Sequence, residues 1–171
     1  MENEVMETRD CIKKRRSVRK FTASLPQDAD IAEILEAGRW APSGLNNQPW
    51  RFLVIKGQEQ KDGLLGFTKY AAIIQSAPCV IVVCMDNTVL YNRDKDLMAM
   101  GACIQNMLLA ACSLGLGACW LGEILNKKQE VAGFLKLDAD LEVMAVVALG
   151  YPDEQIRPGS RKPLKNLLAG A

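Results

Sequence analysis

Histidine is missing from all 171 residues of the chain. Its absence excludes Ser-His and Cys-His nucleophilic sites, and also every metal centre that relies on imidazole ligands. The six cysteines include no C-x-x-C pair, so their spacing does not indicate a disulfide or metal-binding framework. An enzyme with this composition would have to draw its chemistry from carboxylates, lysines, cysteines, the backbone or a bound cofactor.

An excess of charge of either sign is also missing, because 21 Lys and Arg face 20 Asp and Glu, for a net charge of +1. No bulk attraction to nucleic acid or to an anionic membrane follows from that balance. Hydrophobic residues make up 49% and charged residues 24%, which is ordinary for a globular domain. The length and the lack of repeats or linkers predict a single domain over residues 1–171.

The N-terminal sequence MENEVMETRD is charged and has no apolar region of the kind that signal peptides carry. Five of the six cysteines lie in apolar runs, where a reduced thiol behaves as a small hydrophobic side chain. Both features favour a cytoplasmic protein. Residues 97–122 carry no charge and exceed the roughly 20 residues that a membrane crossing needs, but they include four glycines. We therefore expect a buried helix there, in a core or a subunit interface.

Apolar periodicity and β-branched runs predict strands separated by helices, and therefore an α/β or α+β sheet covered by helices. Residues 79–85 (CVIVVCM) are apolar throughout, as expected for a strand covered on both faces. Asn126 with Gln129 resembles a capping box at the start of a helix. The predicted helices are 6–14, 28–39, 58–75 (in two pieces around Gly66 and Phe67), 95–114 and 126–135, and the predicted strands are 50–56, 79–85, 118–121 and 141–149.

Two basic clusters stand near opposite ends of the chain, KKRRSVRK at 13–20 and RKPLK at 161–165. Guanidinium groups bind phosphate in a bidentate manner, and a serine hydroxyl adds a hydrogen bond. The clusters would suit one small dianion if they converged, whereas isolated basic runs are usually solvated faces and sometimes nucleic-acid patches. The balanced net charge and the lack of an RNA-binding motif disfavour nucleic acid.

Two further segments could contact a flat ligand. The loop APSGLNNQPW at 41–50 offers side-chain amides that donate and accept hydrogen bonds, and it is equally a turn-rich connection into a strand. The segment GLGACWLGE at 115–123 lacks the third glycine of a dinucleotide fingerprint. Its strand-end N–H groups could bind a cofactor, although such glycines more often permit close packing. Cys119 has no partner base in the sequence and is interpreted as core.

The order of these motifs is more specific than any one of them. It runs RRSxR at 15–19, APSGxNNQPW at 41–50, APxVIVV at 77–83, IQNxLLAA at 104–111, GLGACWLG at 115–122 and RKPL at 161–164. Over nearly the whole chain this series resembles the nitroreductase-like family of FMN-dependent oxidoreductases. The resemblance implies an α+β fold with a central, mainly antiparallel sheet flanked by helices, in an intertwined homodimer with two FMN sites at its interface.

The resemblance also implies how FMN is held. Arg15, Arg16 and Ser17 would bind the ribityl phosphate from one end of the chain, and Arg161 with Lys162 from the other. Arg19 would lie near the pyrimidine edge of the flavin, where a cation stabilises negative charge. Two further groups complete the expected set: Pro42, Ser43, Gly44, Asn46 and Gln48, reaching FMN from the partner subunit, and Trp120, Leu121 and Gly122, whose strand-end backbone lies against the isoalloxazine with an N–H directed at N5.

The implied activity is hydride transfer from NAD(P)H to FMN, followed by reduction of a nitroaromatic, quinone or similar acceptor at the same site. No catalytic side chain and no metal ligand is implied, because the flavin does the redox chemistry. The alternatives are a non-enzymatic FMN-binding or flavin-storage protein, and a different flavin chemistry on the same fold. The chain departs from the family pattern in two places. Residues 86–95 leave little room for the helix that covers the flavin in longer relatives. Glycine occupies positions 44 and 122, where some relatives have a hydroxyl or an acidic side chain.

Overall fold

The computed structural model describes residues 7–169. Its centre is a four-stranded sheet in which every neighbouring pair of strands is antiparallel, with helices on both faces, so the predicted α+β architecture is confirmed. In spatial order the sheet runs β1-β2-β4-β3. The strands are β1 (Trp50–Ile55), β2 (Cys79–Asp86), β3 (Gly117–Leu121) and β4 (Leu141–Gly150).

Six α-helices surround the sheet in residues 7–169: α1 (Thr8–Lys14), α2 (Asp28–Arg39), α3 (Gln58–Leu64), α4 (Ala71–Ser76), α5 (Arg93–Ser113) and α6 (Lys128–Phe134). Short 3-10 turns occupy Gly44–Asn46, Leu65–Phe67, Asn87–Val89, Glu123–Lys127 and Leu164–Asn166. The predicted elements are all present, although the first residue of the first predicted helix, Met6, lies outside the described residues.

The predicted capping box is wrong. Helix α6 begins at Lys128 with no side-chain cap, and Asn126 lies inside the preceding 3-10 turn. There its Nδ2 donates to Oε1 of Glu123 at 3.5 Å. The pair of residues that suggested a helix start belongs to a turn that precedes the helix.

Strand β2 lies between two hydrophobic layers, which explains why it is apolar throughout. Ile81, Val83 and Met85 belong to the layer that also contains the buried faces of α2 and α5. The alternate residues Val80 and Val82 belong to the layer on the other face. Because side chains alternate along a strand, one strand contributes to both layers, as the sequence predicted.

Helix α5 is long and apolar enough to cross a membrane by length and composition alone, a property that buried core helices share. Here eight of its residues are buried. It packs closely on α2 at Gly38, where the absence of a side chain leaves room for Met107 of α5. A Cβ at Gly38 would lie 2.8 Å from Cγ of Met107. The helix is therefore built into the core, as expected.

The N-terminal segment after α1 pairs with the sheet beside β3 and with the residue that follows β4. Ser17 forms a parallel bridge with Ala118 in β3, and Phe21 forms an antiparallel bridge with Pro152, just after β4. The basic N-terminal segment therefore lies beside the segment that leaves the last strand. A cavity opens beside this pairing.

Candidate functional site

A cavity of about 600 Å³ opens where the two chain ends meet. Val18 N donates to the carbonyl oxygen of Ala118 (3.1 Å), and Asp153 N donates to that of Lys20 (2.9 Å). The basic clusters from both ends therefore face one space, although Lys162 does not line it. The lining comprises Arg15, Arg16, Ser17, Val18, Arg19, Glu154, Gln155, Ile156, Arg157 and Arg161.

Arg16 ties the two chain ends together. Its Nη1 donates to the carbonyl oxygens of Lys13 and Arg15, each at 2.7 Å, and its Nε donates to that of Arg157 at 3.3 Å. Gly159 lies against the same guanidinium, where a Cβ would approach Cζ to 2.7 Å. The C-terminal segment therefore crosses Arg16 closely at Gly159, where a larger residue would displace the guanidinium.

The charge in this cavity is strongly one-sided. Five arginines line it, and Glu154 is the one acidic residue among its described lining. Oε1 of that glutamate already accepts a hydrogen bond from the backbone N–H of Arg19 at 2.5 Å. Guanidinium groups with a nearby serine hydroxyl match the oxygens of a phosphate, so the donor set suits a phosphate-bearing ligand.

A second cavity, of about 280 Å³, lies at the end of β3 and shares Arg19 with the first. Trp120 is 41% exposed, whereas its neighbours Cys119 and Leu121 are buried. The predicted residues Trp120, Leu121 and Gly122 all line this space, together with Arg19, Tyr70, Ile73, Cys119 and Glu123. A basic cavity joined at an arginine to a cavity with an aromatic wall suits a ligand with a phosphate and a flat ring system.

Cys119 lines the second cavity as a thiol. Burial raises its pKa, while Arg19, Arg15 and a hydrogen bond to Ser17 act in the opposite direction without overcoming the effect of burial. Because a thiolate is the nucleophilic form of cysteine, this side chain is a weak nucleophile at neutral pH. Its place in the buried strand agrees with its interpretation as core.

The loop between α2 and β1 lies away from both cavities. Pro42, Ser43 and Gly44 line a third cavity, of about 270 Å³. Its other lining residues belong to α5 and are Lys95, Met98, Ala99 and Ala102. Neither Asn46 nor Gln48 lines the first two cavities. Within one chain, the loop predicted to contact a cofactor is therefore separate from the other predicted residues.

The same loop holds a strained backbone. Leu45, Asn46 and Gln48 have φ values of 54°, 56° and 48°, in the left-handed region that non-glycine residues rarely adopt. A hydrogen bond from Gln48 N to Oγ of Ser43 (3.0 Å) closes the turn. Strain of this kind persists when surrounding contacts enforce it, and it is common at ligand sites.

Asp96 holds the strained loop in place. It is fully buried near the start of α5 and accepts hydrogen bonds from Asn47 Nδ2 (2.7 Å), Tyr91 N (3.1 Å) and Asn92 N (3.0 Å). Burial acts to raise the pKa of Asp96, but the hydrogen bonds from Asn47, Asn92 and Tyr91 outweigh it and leave the pKa below the usual value. The loop is thereby fixed to α5 by an ionised carboxylate.

Several residues that line the two cavities were not predicted from the sequence. Glu154 and Arg157 stand in a charged segment directly after the last strand, and that position is the signal that could have identified them. Tyr70 and Ile73 belong to no motif, and Glu123 ends the segment at 115–123 without a predicted role. They reach the second cavity through tertiary packing between segments about 50 residues apart in the chain.

Comparison with known proteins agrees with this geometry. The model of the nitroreductase family matches residues 12–72 and 65–151. A protein of Methanothermobacter thermautotrophicus described as an NADH dehydrogenase/NAD(P)H nitroreductase is 34% identical over 159 residues, which is 91% of this chain and 82% of that protein.

Two solved structures extend the likeness to three dimensions. A Desulfovibrio desulfuricans protein described as a nitroreductase, crystallised in complex with FMN, is 45% identical with a TM-score of 0.93 over 97% of each chain. The NADPH:FMN oxidoreductase of Vibrio harveyi, complexed with NAD+, is 27% identical with a TM-score of 0.86 over 95% of this chain and 76% of that one. Because the family model matches more than half of the chain and the fold is the same, the chain belongs to the nitroreductase family.

Proposed function

We propose that this protein is an FMN-dependent oxidoreductase that takes hydride from NAD(P)H and passes electrons to nitroaromatic, quinone or similar acceptors in two successive half-reactions. The observation that carries the proposal is the junction at Arg19 of the arginine-lined cavity and the aromatic cavity at the end of β3. FMN has a phosphate that suits the arginine-lined cavity and a flat ring that suits the aromatic cavity. When bound, it supplies the hydride-accepting and hydride-donating ring.

The residues present fit FMN. Arg15, Arg16, Ser17 and Arg161 would hold the phosphate, and their cavity has a single carboxylate whose Oε1 is already engaged by the N–H of Arg19. Lys162 belongs to the same basic cluster, although it lies outside the cavity lining and would act at longer range. Arg19 would stabilise negative charge at the pyrimidine edge, and the backbone of Trp120, Leu121 and Gly122 would face the ring.

We further propose an intertwined homodimer in which the loop at 41–50, here called the polar loop, completes the site of the partner subunit. Leu45 at the loop is 83% exposed, and Met98 on the adjoining face of α5 is 68% exposed, so an apolar surface surrounds the loop. The tail carries three more exposed leucines, Leu164, Leu167 and Leu168. A second copy covering these surfaces would bring Pro42, Ser43, Gly44, Asn46 and Gln48 toward its FMN.

The acceptor side is open. Strand β2 ends at Asp86 and α5 begins at Arg93, with only the 3-10 turn Asn87–Val89 between them. This connection has no covering helix, as the sequence predicted from its length. An open site suits acceptors of varied shape rather than one enclosed substrate.

We place the protein in the cytoplasm, where NAD(P)H is available and thiols stay reduced. Burial raises the pKa of Cys79 and Cys84 to about 11 and that of Cys103 to about 12. These thiols are therefore protonated and enclosed in the core, which is consistent with a reducing compartment.

The test is an absorption spectrum of purified protein after addition of FMN and desalting, followed by anaerobic addition of NADH and then NADPH. Retained flavin bands that bleach with a nucleotide, and recover on addition of a nitroaromatic or quinone, would support the proposal and identify the donor. Retained flavin that does not bleach would favour a storage role or another chemistry. A protein that retains no flavin would contradict the proposed cofactor.

A further inference from the structure

Tyr70 lines the aromatic cavity, and the segment Thr68–Tyr70 that carries it is hydrogen-bonded to Glu123. Oε2 of Glu123 accepts hydrogen bonds from Oγ1 of Thr68 (2.7 Å) and from the backbone N of Lys69 (3.1 Å). Oγ1 of Thr68 in turn accepts from the backbone N of Tyr70 (3.1 Å). A carboxylate directly after β3 is thereby linked to Tyr70 through one threonine.

The contacts of Glu123 favour its ionised form. The hydrogen bonds from Thr68 and from the Lys69 backbone lower its pKa, although partial burial acts against them. Hydrogen bonds to a charged acceptor are stronger than those between neutral groups. A second tie runs from the same 3-10 turn, where Lys127 Nζ donates to the carbonyl oxygen of Gly66 at 3.3 Å. The turn Glu123–Lys127 thus contacts the Thr68–Tyr70 segment through Glu123 and the residue two positions before it, Gly66, through Lys127.

Tyr70 and Trp120 are the two aromatic residues in the lining of this cavity. They are 48% and 41% exposed, so both rings offer surface to a ligand. Aromatic rings favour stacked or edge-to-face contact with other flat molecules. The residue that fixes the Tyr70 segment therefore sets the place of one of the two aromatic rings that line this cavity.

We propose that Glu123 is a positioning residue that sets the place of Tyr70 through Thr68, and that Tyr70 selects aromatic electron acceptors by stacking. The inference rests on the proposed FMN-dependent function. It adds a determinant of acceptor specificity formed by three residues that are not among those predicted to bind FMN.

The test compares two acceptors of different kind. A nitroaromatic or a quinone needs contact with the cavity wall, whereas ferricyanide takes electrons singly and has no ring to stack. In a two-half-reaction scheme, kcat/KM for each acceptor reports its own step, so their ratio measures selection by the wall. Thr68→Val removes the link without a change of charge, Thr68→Ser restores it, and Tyr70→Ala removes the ring.

The matched control is Thr88→Val. Thr88 Oγ1 donates to Oδ1 of Asp86 at 2.6 Å, the same kind of threonine–carboxylate bond, at a position outside the linings of the three cavities. We expect Thr68→Val and Tyr70→Ala each to lower the ratio about tenfold, which is the order of effect expected for the loss of one aromatic contact. The double variant should be no worse than Tyr70→Ala alone, because residues that act through one another are non-additive. Thr68→Ser, Tyr70→Phe and Thr88→Val should stay within about twofold of the wild type.

Different results separate the possible failures. Additive losses in the double variant, or an unchanged ratio in Thr68→Val, would overturn the inference while the wild type still reduces both acceptors. A large loss in Tyr70→Phe would show that the hydroxyl matters and would overturn stacking as the cause. If Thr68→Val does not fold, Glu123→Gln combined with Tyr70→Ala tests the same non-additivity. A wild type without FMN-dependent turnover would overturn the proposed function, and this inference with it.

Discussion

The side-chain amide of Asn47 donates to the carboxylate of Asp96 over 2.7 Å, and this bond joins the loop at 41–50 to a buried residue of α5. Asp96 is fully buried, whereas the loop it holds contains three non-glycine residues in left-handed conformations. A buried, ionised acceptor compensates for that strain. The geometry of the predicted partner-facing loop therefore depends on a residue that contacts no predicted cofactor cavity.

Replacement of Asp96 by alanine should destabilise the protein strongly. It would remove the acceptor of the Tyr91 and Asn92 N–H groups and one of the two acceptors of the Asn47 amide, which also donates to the carbonyl oxygen of Val89 at 3.1 Å, and unsatisfied donors are costly. We expect a loss of about 3 kcal/mol in the free energy of unfolding, measured by urea denaturation. Asp94→Ala is the control, because Asp94 lies in the same first turn of α5 but is exposed. Equal effects of the two substitutions would contradict the role assigned to Asp96.

Glu142 should make stability depend on acidic pH. Its carboxylate accepts two hydrogen bonds from Arg93 (2.8 and 2.9 Å) and one from Lys128 (2.5 Å), and mainly the bonds from Arg93 lower its pKa to about 2. Because the pKa is lower in the folded state, this contribution is fully present above the unfolded value of 4.5 and is lost as pH falls toward 2.

We therefore expect the free energy of unfolding to fall between pH 4.5 and 2 by an amount to which Glu142 contributes on the order of 2 kcal/mol. In Glu142→Gln the slope over that range should be shallower by this amount, whereas Glu130→Gln, at an exposed position of α6, should retain the wild-type slope. The measurement is chemical denaturation at a series of pH values. An unchanged slope in Glu142→Gln would contradict the assignment.

The elements of the fold were largely predictable because each has a local cause. Helix α2 has the predicted bounds, Asp28–Arg39, because Pro26 and Asp28 start it and Ile31 and Ile34 recur on one face. Strand β2 was predictable from its apolar run, which reflects burial between two layers. The capping box failed because Asn126 and Gln129 have the spacing of a cap without its tertiary setting, and the preceding turn used Asn126 for a contact with Glu123.

The candidate site was predictable only in part, for a related reason. Arg15, Arg16, Ser17, Arg19 and Arg161 carry a recognisable chemistry, and the fold brings them to one cavity. The link between Thr68 and Glu123 joins residues 55 positions apart through one hydrogen bond. No local sequence pattern predicts such a contact. Residues that bind a charged ligand leave a compositional trace, whereas residues that position a wall do so through the tertiary structure.

Arg161 should contribute to FMN binding through the phosphate alone. It lines the 600 Å³ cavity, is exposed, and donates only to the neighbouring Ser160 carbonyl among its hydrogen bonds in the described chain, so its removal should not disturb the fold. We expect Arg161→Ala to weaken FMN binding about tenfold, which corresponds to one charge-assisted contact. Riboflavin, which has no phosphate, should bind wild type and variant alike in a flavin-fluorescence titration. Lys165→Ala is the control, and a loss of riboflavin affinity in Arg161→Ala would point to a structural effect instead.

Gly101 should distinguish a dimer formed through α5 from a monomer. A Cβ at Gly101 meets nothing within 4 Å in the single chain, and the same is true of Gly133 in α6. In a monomer both helical glycines would tolerate a larger side chain, and both substitutions would gain helix propensity.

If the open face of α5 packs on a second copy, a leucine at position 101 should hold the two helices apart, whereas Gly133→Leu should leave assembly unchanged. Sedimentation equilibrium measures the outcome: we expect Gly101→Leu to shift the protein toward the 18.8 kDa monomer and to lose FMN with it, because the loop of the partner would no longer reach the site. A Gly101→Leu protein that stays dimeric and retains FMN would show that α5 is not the interface.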